Sequence, residues 1–435
     1  MSSAGTAGGV AKIATRRKRR DLRRSRRRIH ASESVFRFLR MTFGPVMNWL
    51  FRLHAHNTEV FRRVKPPFVI LANHACVLDP FLLASRVPYA VHYVVSDSNF
   101  RSPIVDVGLR LVGGIPKTKA LSDLETVKRI VQIKARKGII GIFPEGQSTW
   151  DGHSLPIYYS TAKLLKALKV PVVTTRIQGS FLSLPRWGRA PRRGRIDMHY
   201  TLALTPKQMR GMTVAEIYEQ IVAHLDNDEF EAQKERRILY TSRRRAEYLE
   251  IVLFICPDCR HIATLRSRGN TIACESCGYA ARMNGYGYFE PVSGPLHFQN
   301  LRRWNLWQVQ HFEGVIDDAV ATGRKDPILT DGNAKVREGF KSQPLEFRGI
   351  GTLSLYLDRL TLDTTDGRGD SLTFEVDEIE GINVQNSEFL EFYYRGSLYQ
   401  VKLLNRGGNS YKWNLAVRHL QGRAKETLKR EPSSI

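Results

Sequence analysis

The 435-residue chain has no apolar run near the roughly 18–20 residues that a membrane-spanning helix needs; its longest, such as FVILA at 68–72, are strand-sized. Cysteine is scarce. Five in the whole chain are too few for a disulfide scaffold, and the odd number argues against a secreted protein. The basic N-terminal stretch leads into no continuous apolar segment and no small-residue cleavage site, so it does not read as a secretory signal. The expected location is the cytoplasm, with the chain peripheral on the cytoplasmic face of a membrane. Acids are also few: 42 Asp+Glu stand against 67 Lys+Arg, a net +25. That balance favours anionic partners: nucleic acid, acidic lipid headgroups or phosphorylated substrates. The remaining composition, 42% hydrophobic and 25% charged, is that of a folded protein and excludes collagen-like, mucin-like and wholly disordered chains. The length allows two to four domains.

Residues 1–31 read as a disordered basic arm. Its core RRKRRDLRRSRRR contributes net +9, and the rest of the chain still carries +16. Residues 32–56 read as an amphipathic membrane-interface helix: apolar residues recur at helical spacing, arginines interrupt them, and Gly44-Pro45 suggests a kink. A helix packed on the adjacent domain fits the same pattern. Over 57–245, strand and helix signals alternate, which reads as an α/β layered domain with a mixed sheet flanked by helices. Strands are expected at 68–72, 91–95, 139–143, 171–177 and 195–202. Helices are expected at 79–85, 105–112, 121–137 and 160–169, and a long charged helical region at 215–245. Residues 251–290 hold four cysteines, and 291–342 reads as a helical linker. From 343 to 425 the period changes to two, in TLSLYLDRLTL, SLTFEV, EFLEFYY and LYQVKLL, giving a small antiparallel β domain closed by one helix at about 409–420. This last part has 11 acids and 8 bases over 345–420, so it does not share the positive excess.

Three segments carry chemistry. In NHACVLDP (73–80), His74 and Asp79 are five apart, a separation that a strand-to-helix turn can close, setting an imidazole on a carboxylate for general-base activation of a hydroxyl. A surface His and a helix-capping Asp would give the same letters. In FPEGQST (143–149), also just past a strand, Glu145 offers a carboxylate, and Gly146 permits close backbone approach and an amide for a developing oxyanion. Between them, GGIPKTK (113–119) is a glycine turn followed by Lys117 and Lys119, which suits a phosphate; a plain turn with solvated lysines would read alike.

Taken in order, these blocks resemble the glycerophospholipid acyltransferase family, which includes the 1-acylglycerol-3-phosphate acyltransferases. The family's N-H-x-x-x-x-D, G-G-x-P-x-x-R, F-P-E-G-T-R-S and V-P-hydrophobic blocks look like Asn73–Asp79, Gly113–Lys119, Phe143–Thr149 and Val170-Pro171-Val172-Val173, over roughly residues 50–230. The resemblance implies an O-acyltransferase in which His74 and Asp79 are catalytic. Asn73, Gly114, Lys117, Lys119, Glu145, Gly146, Gln147 and Ser148 would bind substrate. The acyl donor would be acyl-CoA or an acyl carrier protein, and the acceptor a lysophospholipid on a membrane surface with anionic lipids. Lys119 stands where the family has an arginine, and Ser148 where phosphatidic-acid-forming members carry one; Arg176, Arg186, Arg189, Arg192 or Arg193 could supply charge from elsewhere, which leaves the acceptor headgroup open.

Cys256-x2-Cys259 and Cys274-x2-Cys277, fourteen residues apart, form a four-cysteine zinc-ribbon pattern for one structural Zn2+ in a closed tetrahedron. Cys76 reads as a small packed residue. The C-terminal β segment resembles a pleckstrin-homology or GRAM-like module; its partner is not named by the sequence. A basic zinc-ribbon nucleic-acid-binding protein explains the arm, the charge and the cysteines but not the ordered blocks, so nucleic acid is disfavoured as a partner. A lipid-binding scaffold without catalysis is a third reading.

Overall fold

The computed structural model describes residues 31–118, 124–364, 371–405 and 407–430. The expected basic arm, apart from Ala31, and Lys119 lie outside them.

Helix α1 (Glu33–Phe51) begins at Ser32, whose side chain accepts from the Val35 amide, and runs through Pro45 as one helix. It buries Phe36 and Phe51 and leaves Phe38, Met41, Phe43, Val46 and Trp49 exposed. Seven strands then form the first sheet: β1 (Leu53–His56), β2 (Val69–Ala72), β3 (Val91–Ser96), β4 (Ile115–Lys117), β5 (Ile139–Ile142), β6 (Val172–Gln178) and β7 (Ile196–Leu204), side by side as β1-β7-β6-β2-β5-β3-β4. All neighbours are parallel except β6 and β7. Continuous apolar runs suit such a sheet because both faces are covered. Phe68, Ile70 and Ala72 pack on Leu82 and Leu83 of α2 (Asp79–Arg86) on one side. Val69 and Leu71 pack with Ile130 of α4 (Leu124–Ala135), Leu165 of α5 (Tyr159–Leu168) and Ile217 of α6 (Val214–Leu225) on the other. Between β3 and β4 lies α3 (Pro103–Leu111), which buries none of its residues.

The long helix expected at 215–245 is two. α6 stops at Leu225, Asp228 caps α7 (Glu229–Arg236) by accepting from the Phe230 and Glu231 amides, and Arg237 ends it in the left-handed region. Capping by an Asp inside a charged helical stretch outweighs its periodicity. Beyond it the chain is irregular; Tyr240 bonds through its amide to Gly285.

The cysteine segment forms a four-stranded antiparallel sheet of β8 (Leu265–Arg268), β9 (Thr271–Cys274), β10 (Ala280–Met283) and β11 (Phe289–Ser293). The stretch read as a linker contains the expected helix, α8 (Leu301–Ala321), and then β12 (Leu329–Gly339), the first strand of the C-terminal sheet. Two register shifts in β12 break its alternation, which hides the strand from a period-two reading. With β13 (Glu346–Leu355), β14 (Arg359–Thr364), β15 (Leu372–Glu375), β16 (Glu380–Gln385), β17 (Phe389–Tyr394) and β18 (Ser397–Leu403) it makes an antiparallel sheet ordered β15-β14-β13-β12-β18-β17-β16. Helix α9 (Ser410–Arg430) buries Trp413, Ala416, Val417 and Leu420 and continues ten residues past its expected end.

One buried core runs through the parts. Ala75 and Trp150 near the chemical blocks, Cys256 and Ile272 of the cysteine sheet, Trp304 and Phe312 of α8, and Trp413 of α9 belong to a single cluster. Trp304 is fully buried and its indole N–H donates to Ile255 O at 3.1 Å; truncating such a side chain costs about 3–5 kcal/mol.

Candidate active site

Parallel strands β2, β5, β3 and β4 end on one side of the sheet, and the loops that follow them carry the site. After β2 the chain turns into α2, and Asp79, in the first turn of that helix, is wholly buried. Its Oδ2 accepts from His74 Nδ1 at 2.9 Å and from the amides of Ala75 (2.7 Å) and Cys76 (2.8 Å). A carboxylate oxygen only accepts, so Nδ1 is the ring's N–H and Nε2 keeps its lone pair. The His74 side chain is 19% exposed, with its ring against Phe143 at 4.5 Å between centroids. Asn73 is buried and bridges to β6: its amide nitrogen donates to Ile177 O (2.9 Å) and its oxygen accepts from Ile177 N (2.6 Å). It ties strands together and makes no part of an open surface.

The loop after β5 locks onto this turn. Glu145 Oε1 accepts from His74 N and Oε2 from Leu155 N, both at 2.8 Å. Thr149 N donates to His74 O at 3.0 Å. Gly146 has φ +73°, and a Cβ there would meet the Tyr158 ring at 2.7 Å, so only glycine fits. Gln147 Oε1 and Ser148 O both accept from Arg186 Nη1, at 3.2 and 2.9 Å, and the Arg186 guanidinium lies over the Trp150 ring at 3.9 Å. Burial lowers the Arg186 pKa to about 9. Cys76 is buried, its Sγ 3.4 Å from Asp79 Oδ1; burial and then the Asp79 charge raise its thiol well above the ordinary range, so it is no nucleophile.

The glycine-lysine block is split by β4. Lys117 ends that strand on the side of His74, with Nζ donating to Thr118 O at 3.3 Å. Thr118 Oγ1 donates to Asp97 Oδ2 at 2.9 Å, just past β3. Gly114 precedes β4, at the opposite end, where it packs against Leu109 and Phe100. It is therefore a packing glycine and does not join the other expected substrate-binding residues. Asp97 and Arg101 escaped the sequence reading as site residues; the rule that loops after parallel strands gather at one edge points to both.

The four expected metal ligands do meet. All four Sγ atoms lie within 4.8 Å of one another, with Cys256–Cys277 and Cys259–Cys274 both at 3.7 Å. Thiolates about 2.3 Å from a central Zn2+ at tetrahedral angles stand about 3.8 Å apart, so the cluster fits that ion. His56, Asp197 and His199 also converge. There both Asp197 oxygens are taken, by Arg195 and Arg236, and against burial those bonds and one from His56 hold its carboxyl well below the usual range. Two guanidiniums oppose a cation at that place.

Residues 52–178, which contain all three blocks, match the family model described as Acyltransferase. The chain carries an acyltransferase domain. Its catalytic type is thereby an acyltransferase enzyme, and residues 1–51 and 179–435 lie outside that match. Among solved structures, one similar chain is the 1-acyl-sn-glycerophosphate (LPA) acyltransferase of Thermotoga maritima. It is 19% identical with a TM-score of 0.37, and the match covers 43% of this chain and 76% of that one. No curated protein matches the chain.

Glu145 gives the acyltransferase domain a pH signature. Burial pushes its carboxyl from the ordinary 4.5 up to about 8, against the two amide donors. An acid with a raised folded pKa keeps its proton in the folded state where the unfolded chain has lost it. Its contribution is therefore complete below about 4.5 and is lost as pH rises through about 8. Glu145→Gln is expected to flatten the fall of stability between those values by up to about 1.4 kcal/mol per pH unit, measured by urea unfolding at several pH values.

Proposed function

We propose that this acyltransferase moves a fatty acyl group from acyl-CoA or an acyl carrier protein to the free hydroxyl of a lysophospholipid, with His74 and Asp79 as the catalytic pair. The observation that carries the reading is the 2.9 Å His74 Nδ1–Asp79 Oδ2 bond, which aims a basic Nε2 away from the buried carboxylate. His74 Nε2 takes the proton of the acceptor hydroxyl as its oxygen attacks the thioester carbonyl. The C–O bond forms, the C–S bond breaks, and the leaving thiolate takes that proton back from His74. Asp79 orients the ring and stabilises the imidazolium. Glu145 and Gly146 shape the wall beside it, and Gln147, Ser148 and Lys117 face the acceptor. Asn73 supports the turn from behind. Transfer from labelled acyl-CoA and acyl carrier protein to a panel of lysophospholipids should fall by a factor of about 10³ or more in His74→Ala. A folded variant with undiminished transfer would sink the assignment.

The enzyme works peripherally on the cytoplasmic face of a membrane. Helix α1 supports this: Phe38 (63% exposed), Met41 (71%) and Trp49 (65%) stand out of it although its other face packs on α2. Nearby, Val77 and Phe81 beside the His74 turn are also exposed, as is Ile104 of α3. No described helix is long and apolar enough to cross a membrane. The basic surroundings add attraction to anionic lipid, about 1 kcal/mol per Lys or Arg near the surface. Phe38→Asp with Trp49→Asp should cut flotation with vesicles containing anionic lipid while leaving the melting temperature unchanged; equal flotation would remove α1 from the membrane contact.

The zinc-ribbon reading rests on the sulfur spacing. Cys256, Cys259, Cys274 and Cys277 would hold one Zn2+ with no open position, so the metal would have a structural role. Protein purified under reducing conditions should contain one zinc per chain by atomic absorption, and Cys256→Ser with Cys274→Ser should lose it; a metal content near zero in the parent protein would refute the site.

A further inference from the structure

The side chain of Phe143 makes no hydrogen bond in the site, yet its ring is the surface against which His74 lies. Phe143 is the first residue after β5. Its carbonyl accepts from the Gly146 amide at 3.0 Å, which holds it at the root of the loop that carries Glu145. Its ring stands 4.5 Å from the His74 ring between centroids, with 36° between the planes. The Tyr93 ring of β3 stacks on Phe143 in turn, at 6.2 Å and 23°. Tyr93 is buried, and its cross-strand partner on β5 is Gly141. A Cβ at Gly141 would meet the Tyr93 ring at 2.5 Å, so the glycine makes room for that ring. The three rings form a linked series from the β3–β5 strand pair to the imidazole.

We infer that Phe143 is a positioning residue for acyl transfer: its ring steadies the His74 imidazole and stabilises the positive charge that the imidazole carries once it has taken the acceptor proton. Phe143 has this role only if His74 is the general base, as proposed above. Asp79 meets the ring at one atom, Nδ1. A single hydrogen bond at one edge leaves a ring free to turn about that bond, and a second ring packed against it removes that freedom. The charge argument is separate. The face of an aromatic ring is negative and attracts a cation within about 6 Å of its centroid, most strongly where water is excluded. Neutral imidazole gains little from such a neighbour, and imidazolium gains more. The contact therefore strengthens as the proton moves onto Nε2, and an interaction made mainly in the transition state raises kcat with little change in KM. Glu145 does not duplicate the effect, because its two oxygens are held by the His74 and Leu155 amides. Phe143 forms and breaks no bond: the proton passes from the acceptor hydroxyl to His74 and on to the leaving thiolate.

The test is acyl transfer by the full-length chain to the best of three acceptors, lysophosphatidate, lysophosphatidylglycerol and lysophosphatidylethanolamine. Position 143 is filled in turn by phenylalanine carrying one, two or three ring fluorines, introduced at an amber codon. Fluorine draws electron density from the ring face and changes the ring's size little, so packing is kept while the attraction for a cation fades. In protein with the parent's melting temperature, kcat should fall stepwise, by about tenfold with three fluorines, and KM should stay within about twofold. Phe143→Leu, which fills the space without a π face, should lose at least as much; should it not fold, the fluorinated series decides alone. A kcat unchanged along the series would show that Phe143 only fills space and would overturn the inference, whatever Phe143→Leu does. A rise in KM at constant kcat would place the ring on the substrate and overturn it too. His74→Ala, assayed beside them, separates the two claims. Undiminished transfer in that variant, or a parent that transfers to no acceptor, sinks the general-base reading and the role of Phe143 together; a dead His74→Ala with a flat fluorinated series sinks the role of Phe143 alone.

Discussion

Asp79 is the fixed point of this protein. One buried oxygen receives the imidazole N–H of His74 and two consecutive amides, so a single carboxylate sets a side chain, a tight turn and the start of a helix at once. A buried anion with three donors is stable only while all three stay in place. The local chain is therefore bound to one conformation, and the imidazole is bound to one tautomer. The His74 amide and carbonyl are engaged as well, by Glu145 and Thr149, so the turn after β2 and the loop after β5 form one rigid unit. On the proposed reading, preorganisation of this kind lets His74 act on a substrate hydroxyl without first losing freedom.

That unit is held from outside the acyltransferase domain. Thr149 bonds to Asp151, Asp151 accepts from Asn305 of α8, and Asn305 bonds to Tyr411 of α9, whose ring packs on Trp150 at 4.5 Å between centroids. A buried chain of hydrogen bonds runs from the His74 backbone to the last helix. The shared hydrophobic cluster follows the same path. The C-terminal half is thus packed into the site's support, and its sheet cannot swing as a tethered module without opening that core.

The surface divides the other way. The exposed apolar residues of α1, with Val77, Phe81 and Ile104, belong to the N-terminal half, where the positive charge is also concentrated. The C-terminal sheet adds acids and meets the first half through Glu388 and Glu391, each on an arginine. Acidic side chains of the C-terminal sheet on arginines of the first half serve their mutual docking.

The local features were legible in the residues. FVILA and IIGIF had to be buried strands, Asp79-Pro80 had to open a helix, and the paired Cys-x2-Cys knuckles had to converge, because each rests on period, capping or spacing within a few residues. The blocks around His74 and Glu145 were equally plain, being short motifs at strand ends. The break at Asp226–Asp228 and the bulged strand β12 were not, since capping and register shifts depend on which neighbour accepts or pairs. Gly114 was grouped with the lysines by adjacency in sequence, but three residues of β4 carry it to the other end of the sheet. Which distant arginines reach the site was settled only by tertiary structure. Arg101 and Arg186 are among many arginines in a chain of 435 residues, and nothing near either in sequence says that a hairpin 200 or more residues later will hold it. The sequence by itself determined the elements and the residue chemistry of the His74 turn, because those are contacts of short range. Long-range burial decided what surrounds that turn, because desolvation acts on residues that meet only once the chain has folded.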